Sequence, residues 1–269
     1  MASPNNYPNG LNLAGTVFAN GPATLQLGGR VYLSGLVQWV DTIDGDNANT
    51  GARPEQPVAT LAQAITNSAN NGVIVIGAGS AETLSASQTF GALSGVSVFG
   101  CGTGSSRPRY TCSGTINMIN AGNAGLWIEG LYFPASTAVA TSRILVGADH
   151  VTIKDCYFEC GANDTNRALN VQGVSRIEGC SFVATASRPA IGVEVSAPTT
   201  DVTVVDCVFD GGSYGWTDYA FKVSSAATRV RVLGNTFTNQ SDYGHTVTAT
   251  SYQIFGLDIG GTANVLLTA

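Results

Sequence analysis

The chain has 269 residues, of which 44% are hydrophobic, 33 are glycine and only 11% are charged, with a formal net charge of −6. That is enough apolar material for one substantial core in a single elongated domain, and enough turn-forming residues for many short strands. The 12 basic residues nowhere cluster, which argues against nucleic acid as a partner, and no apolar run approaches the roughly 20 residues of a membrane span.

Residues 1–45 read as an N-terminal arm followed by strands for attachment. The opening Met1-Ala-Ser-Pro-Asn-Asn-Tyr-Pro has neither the positive nor the apolar region of a secretion signal, so none is expected. Thr24-Leu-Gln-Leu, Gly29-Arg-Val-Tyr-Leu and Leu36-Val-Gln-Trp-Val look like short strands, and an arm ahead of them needs something to hold. Residues 46–72 form a turn-rich loop and a capping helix. The carboxylates of Asp41-Thr-Ile-Asp-Gly-Asp fit no calcium loop and lack a terminal bidentate glutamate, so a solvated loop is the better reading. In Pro57-Val-Ala-Thr-Leu-Ala-Gln-Ala-Ile-Thr, the Thr60 cap and the spacing of Leu61, Ala64 and Ile65 predict one short amphipathic helix.

From residue 73 to 240 one pattern dominates. After Val73-Ile-Val-Ile and an imperfect copy at Val96-Ser-Val-Phe-Gly-Cys101, an eight-residue motif occurs five times: Leu126 to Phe133, Val151 to Phe158, Ser175 to Phe182, Val202 to Phe209 and Val230 to Phe237. The closing phenylalanines are 25, 24, 27 and 28 residues apart, which is a solenoid period. Each copy alternates apolar and polar residues as a strand with one buried face does. A Gly or Asp at its fifth position (Gly130, Asp155, Gly179, Asp206, Gly234) allows a corner before a second inward pair. A second matched set, Arg143 to Val146, Ala168 to Val171, Ile191 to Val195 and Ala220 to Val223, gives each coil at least two strands.

These observations imply an all-β fold: a single-stranded right-handed parallel β-helix solenoid with an N-terminal arm and a short capping helix. A leucine-rich repeat would need a different signature, and a propeller blade would need about forty residues or more. Stacking makes columns of equivalent residues. Phe133, Phe158, Phe182, Phe209 and Phe237 form one, and Leu131, Cys156, Cys180, Cys207 and Asn235 another, with neighbours about 4.8 Å apart. The column cysteines then act as small apolar fillers rather than disulfide partners or metal ligands, and Cys101 with Cys112 is left as an open pairing. Outside, Glu129, Lys154 and Glu178 alternate in sign and predict a solvent-facing ladder of weak ion pairs. Residues 241–269, with strands around Tyr252 to Phe255 and Asn264 to Leu267, read as a C-terminal cap or subunit-contact strands.

The order of acidic loop, Pro-x-Ala-Thr-Leu-x-x-Ala-Ile helix, Val-Ile-Val-Ile strand and coils carrying Val-x-Ile-x-[Asp/Gly]-Cys-x-Phe resembles the right-handed β-helices of the pectate-lyase-like superfamily. The similarity runs over about residues 41 to 240 and is greatest to the proteins found on the surface of tailed-phage particles. It is specific for fold, since this scaffold serves lyases, hydrolases, adhesins and passive coat proteins alike. It implies a homotrimer attached to the virion through its N-terminal region, which makes Asn5, Asn6, Tyr7, Pro8 and Asn9 the candidate attachment residues.

An enzyme on this scaffold would need paired carboxylates in a groove, or an acidic cation site beside a basic residue. The sequence offers Glu159 with Asp210 and Asp164, and Glu194 with Lys222. Glu159 and Asp210 stand two coils apart with Val183 between them, a marginal spacing, so no catalytic residue is assigned. His150 and His245 read as isolated surface histidines. Tyr214, Trp216 and Tyr219, in Tyr214-Gly-Trp-Thr-Asp-Tyr219, are the candidate sugar-stacking platform, with packing on the solenoid wall or a subunit as the competing reading. The expectation is a non-enzymatic structural protein of the virion, made in the host cytoplasm: a head decoration (cement) protein on the major capsid protein, without cofactor or metal. The alternatives are a short tailspike that binds or degrades host surface polysaccharide, and a passive host-binding adhesin.

Overall fold

The computed structural model describes residues 24–27, 30–33, 37–135, 141–161, 167–186, 191–196, 200–216, 220–223, 228–239, 245–247, 251–255 and 258–260. Three parallel sheets of nine, eight and seven strands carry the chain, and each coil adds one strand to each sheet in turn. The fold is a right-handed parallel β-helix. Each octapeptide supplies two of the three strands. Val151–Lys154 lies in the first sheet and Tyr157–Cys160 in the second, while Arg167–Val171, from the second matched set, lies in the third.

The corner between the first and second sheets explains the fifth position of the motif. Gly130, Asp155, Gly179, Asp206 and Gly234 all have positive φ, between 48° and 77°, which bends the strand at one residue. Glycine and aspartate alternate there for a packing reason. A Cβ on Gly179 would stand 2.4 Å from Asp155 Oδ1, and one on Gly234 would stand 2.6 Å from Asp206 Oδ1. Each aspartate therefore occupies the space that the glycine of the next coil leaves open.

Register does the rest. Phe133 pairs with Phe158, Phe158 with Phe182, Phe182 with Phe209 and Phe209 with Phe237 across successive strands. Their rings are buried and stacked, with centroids 5.0, 5.0, 4.8 and 4.6 Å apart and interplanar angles of 3° to 11°. Tyr110 continues the column at its N-terminal side, tilted by 37° against Phe133 at 6.3 Å. Beside the rings, Leu131, Cys156, Cys180, Cys207 and Asn235 are all fully buried. The single thiol proton of Cys180 lies within reach of the carbonyls of Ile153 and Glu178, and that of Cys207 within reach of Ile177 and Val205, so each cysteine is a weak donor to a nearby carbonyl. Asn235 does the same with a stronger donor. Its Nδ2 donates to the Val204 carbonyl at 2.9 Å, and its Oδ1 accepts from Cys207 N at 2.8 Å. None of the six cysteines forms a disulfide, Cys101 and Cys112 included.

The parallel sheets reach beyond residues 73–240 at both ends. Val37–Val40, read from sequence with the arm, is the terminal strand of the first sheet and pairs in parallel with Val73–Ile76. His245–Val247, Ser251–Phe255 and Asp258–Gly260 each add a last strand to one sheet. At the N-terminal end, the open edge of Val37–Val40 is closed by backbone: Trp39 N donates to Gly51 O, Val58 N to Trp39 O, and Asp41 N to Val58 O, at 2.7 to 2.9 Å. The helix Leu61–Asn67 buries Leu61, Ala64 and Ile65, and the Thr60 hydroxyl caps it by accepting from Gln63 N. Glu82, on the terminal strand of the second sheet, accepts a further bond from Leu61 N at 3.0 Å. The cap thus hides the backbone edge and the apolar end of the shaft.

The expected ion-pair ladder is corrected by the structure. Glu129, Lys154 and Glu178 are in register as expected. Their charges nevertheless turn sideways. Glu129 accepts from Trp127 Nε1 at 2.7 Å, Lys154 Nζ lies 5.9 Å from the centre of the Trp127 ring, and Glu178 pairs with Arg176 two residues earlier on its own strand at 2.6 Å. A local partner costs less side-chain freedom than one in the next coil. Asp41 and Asp46 likewise turn to their own loop, accepting from Ile43 N and Ala48 N.

Two substitutions test this packing. Phe182→Ala should cost about 3 to 5 kcal/mol in chemical denaturation, because it opens a hole inside a continuous ring stack. Gly179→Ala should cost at least about 1 kcal/mol from its left-handed backbone alone. Adding Asp155→Gly should recover part of that loss by removing the clash, and additive losses would contradict the alternation argued above.

Candidate functional site

Outward positions on the second sheet form columns just as inward ones do. Arg109, Tyr132, Tyr157 and Ser181 are consecutive neighbours in register on four strands. With the turn around Gly104 to Arg107 as a wall, they line a surface groove with a cavity volume of about 400 Å³. That lies within the range of small-molecule sites. The column steps down from Tyr157 to Ser181, and Gly179 beside it carries no side chain, so the floor opens on that side.

The polar groups are fixed by bonds within the wall. Tyr132 Oη donates to Glu159 Oε1 at 2.5 Å, while Ala135 N donates to Glu159 Oε2 at 3.0 Å. The Tyr132 and Tyr157 rings meet edge to face at 5.3 Å, and the Arg109 guanidinium lies 5.2 Å from the Tyr132 centroid. Arg107 Nη1 donates to the Asp155 carbonyl at 2.6 Å, and its Nε is enclosed with no hydrogen-bond partner among the described residues. Burial, the bond to Glu159 and that carboxylate's charge push the Tyr132 hydroxyl well above the usual phenol range, against the opposing pull of Arg109. The Tyr157 hydroxyl is raised by burial and by the charges of Glu159 and Asp210. Both phenols therefore stay protonated near neutrality.

The carboxylates singled out from sequence are separately engaged. Glu159 and Asp210 do share an outward column, with Val183 on the strand between them. Asp210 accepts from Gly212 N, Thr238 Oγ1 and Asn239 Nδ2 at 2.8 to 3.0 Å. Burial alone would raise its carboxyl, yet those three donors hold it below the usual aspartate range. On the third sheet, Glu194 is buried between two cations, Arg167 on one neighbouring strand and Lys222 on the other, the latter at 2.9 Å. Burial again works upward, and the bonds from Arg167 and Lys222 outweigh it and lower the Glu194 carboxyl. Asp210 and Glu194 are thus held in their charged form by their donors.

The aromatic platform is a correction. Trp216 is fully buried in the core, whereas Tyr214 is 51% exposed. The reason is the tight turn at Gly211, where Tyr214 N and Gly215 N both bond to Gly211 O and throw the two rings to opposite sides. Tyr219 lies outside the described residues, as do Asp164 and the candidate attachment residues Asn5, Asn6, Tyr7, Pro8 and Asn9. His150 is exposed at a left-handed turn. Sequence reasoning found Glu159 but missed Arg107, Arg109, Tyr132 and Tyr157. The available signal was the seventh motif position, occupied by Tyr132 and Tyr157 and directed outward beside the phenylalanine column.

Residues 135–256 match a family model described as the right handed beta helix region. Among solved structures, a rhamnogalacturonan lyase is similar at 14% sequence identity and a TM-score of 0.47, covering 83% of this chain and 56% of that one. The chain thus spans little more than half the length of that structure. No curated protein sequence matches the chain.

The Glu194 site gives a signed pH dependence. A lowered folded-state carboxyl contributes stability above its ordinary value of 4.5, and that contribution disappears as pH falls through the folded value. Glu194→Gln should therefore destabilise the protein at neutral pH, and the gap to the wild type should close below about pH 4.5 in pH-resolved thermal melts. A gap independent of pH would contradict the ion-pair assignment.

Proposed function

We propose that this chain is a non-enzymatic structural protein of a phage virion, a head decoration (cement) protein that projects from the capsid surface. One observation supports the non-enzymatic part: Glu159, Asp210 and Glu194 each accept bonds from donors of the wall itself. The nearby phenols are shifted away from the range a general base needs. The placement on a virion is supported by the resemblance of the coil motif to phage-surface β-helices. In this reading the protein is a homotrimer made in the host cytoplasm, and Asn5, Asn6, Tyr7, Pro8 and Asn9 contact the major capsid protein.

A second reading, a short tailspike that binds or degrades host surface polysaccharide, is favoured by the groove on the second sheet. Two measurements separate the readings. Microscopy of intact particles labelled against this chain should decorate heads, and labelling confined to tails would contradict the first reading. Incubation with host capsule or lipopolysaccharide should release no new reducing or unsaturated ends. Their appearance, abolished in Glu159→Gln, would establish the second.

A further inference from the structure

The outer face of the first sheet changes character along the shaft. Strand alternation and register place two outward columns there: Val37, Val73, Ser97 and Trp127 in one, and Trp39, Val75, Phe99 and Glu129 in the other. Over the next two coils both columns are polar, with Thr152 and Arg176 following Trp127, and Lys154 and Glu178 following Glu129. Val37, Val73, Val75 and Phe99 form an apolar cluster of their own, separate from the core inside the shaft. Trp39, Cys101 and Trp127 pack against it.

These outward residues are nevertheless buried, Phe99 being the most exposed of the four at 7%. Neighbours in a sheet shield the flanks of a side chain and leave its top in water, so a valine buried on an outward face has something lying over it. The capping segment does not supply that cover. It meets the edge of the sheet with backbone and turns Val58, Leu61, Ala64 and Ile65 into the inner core.

One apolar element is joined to the chain at this place. Thr24–Leu27 and Arg30–Leu33 form an antiparallel hairpin that belongs to none of the three parallel sheets, and only residues 34–36 separate it from Val37. Fully extended, that link spans about 11 Å. Register sets Leu25 opposite Tyr32 and Leu27 opposite Arg30, so one face of the hairpin carries two leucines and a tyrosine. A lone hairpin is marginal in water and needs a surface to pack on. Its strands are about 13 Å long, and the patch runs about 14 Å, three strand spacings, from Val37–Val40 to Trp127–Glu129.

We propose that this hairpin docks its Leu25, Leu27 and Tyr32 face on the outer apolar patch of the first sheet, and so clamps the N-terminal segment against the wall of the solenoid. The short link confines it to the N-terminal coils, which are the coils whose outward columns are apolar. The docking concerns packing within one chain and is independent of the virion reading.

Cys101 reports on the cover. Burial pushes its thiol up to about 12, so it alkylates slowly, and the other five cysteines lie in the inner core as internal controls for unfolding. The full chain is treated with iodoacetamide and each cysteine is read by peptide mass spectrometry. Leu25→Glu/Leu27→Glu should speed alkylation of Cys101 at least about tenfold with the other five still protected. Thr24→Glu/Gln26→Glu, on the opposite face of the hairpin, should leave the rate unchanged. If the leucine pair also exposes the inner cysteines, the milder Leu27→Ala should still speed Cys101 alone. An unchanged rate in the leucine variants would overturn the proposal, as would equal acceleration from the opposite face. A wild-type rate that rises on dilution would make a second copy of the chain the cover, and would overturn it as well.

Discussion

Parallel register between one coil and the next is the constraint on which the rest of the structure depends. Because each strand pairs with its equivalent one coil away, a residue type suited to one level is placed directly against its own kind at the next. Five phenylalanine rings consequently stack, each within 5.0 Å of the next, and a slip of one residue would send every ring to solvent. The corner enforces that register locally. A left-handed Gly or Asp fixes where each strand stops, and the Asp155 and Gly179 contact excludes two bulky residues at adjacent corners.

The same constraint builds the outer surface. Arg109, Tyr132 and Tyr157 are separated along the chain by whole coils, yet the ladder sets them side by side. The same ladder sets the nearby carboxylates beside their donors. Glu159, Asp210 and Glu194 each find donors on their own or neighbouring strands, and those donors hold the carboxyls of Asp210 and Glu194 below their usual range.

The core was legible in the sequence because burial restricts residue type. At the eighth motif position only a large flat ring continues the stack, and at the fifth only residues tolerant of positive φ turn the corner. Outward positions carry no such restriction. Tyr132 and Tyr157 share their column with Ser181 and Val208, so the pattern fades where the groove forms. Arg109 precedes the five clear copies, and Arg107 sits in a turn outside the repeat. Trp216 stood in sequence between an exposed platform and packing on the wall for a different reason: its neighbourhood resembles an exposed aromatic loop, and only the bonds to Gly211 O show that the turn reverses there. The charge column failed because register fixes Cα positions while long side chains choose nearer partners, as Glu178 does with Arg176.

A double-mutant cycle on the ring stack tests the central claim most directly. Phe158→Leu and Phe182→Leu, adjacent in the stack at 5.0 Å, should show a coupling energy of about 0.5 to 1.5 kcal/mol in chemical denaturation. Phe133→Leu and Phe182→Leu, with a ring between them, should be additive within about 0.5 kcal/mol. Coupling of equal size in both cycles, or none in the first, would contradict an in-register column and the solenoid built on it.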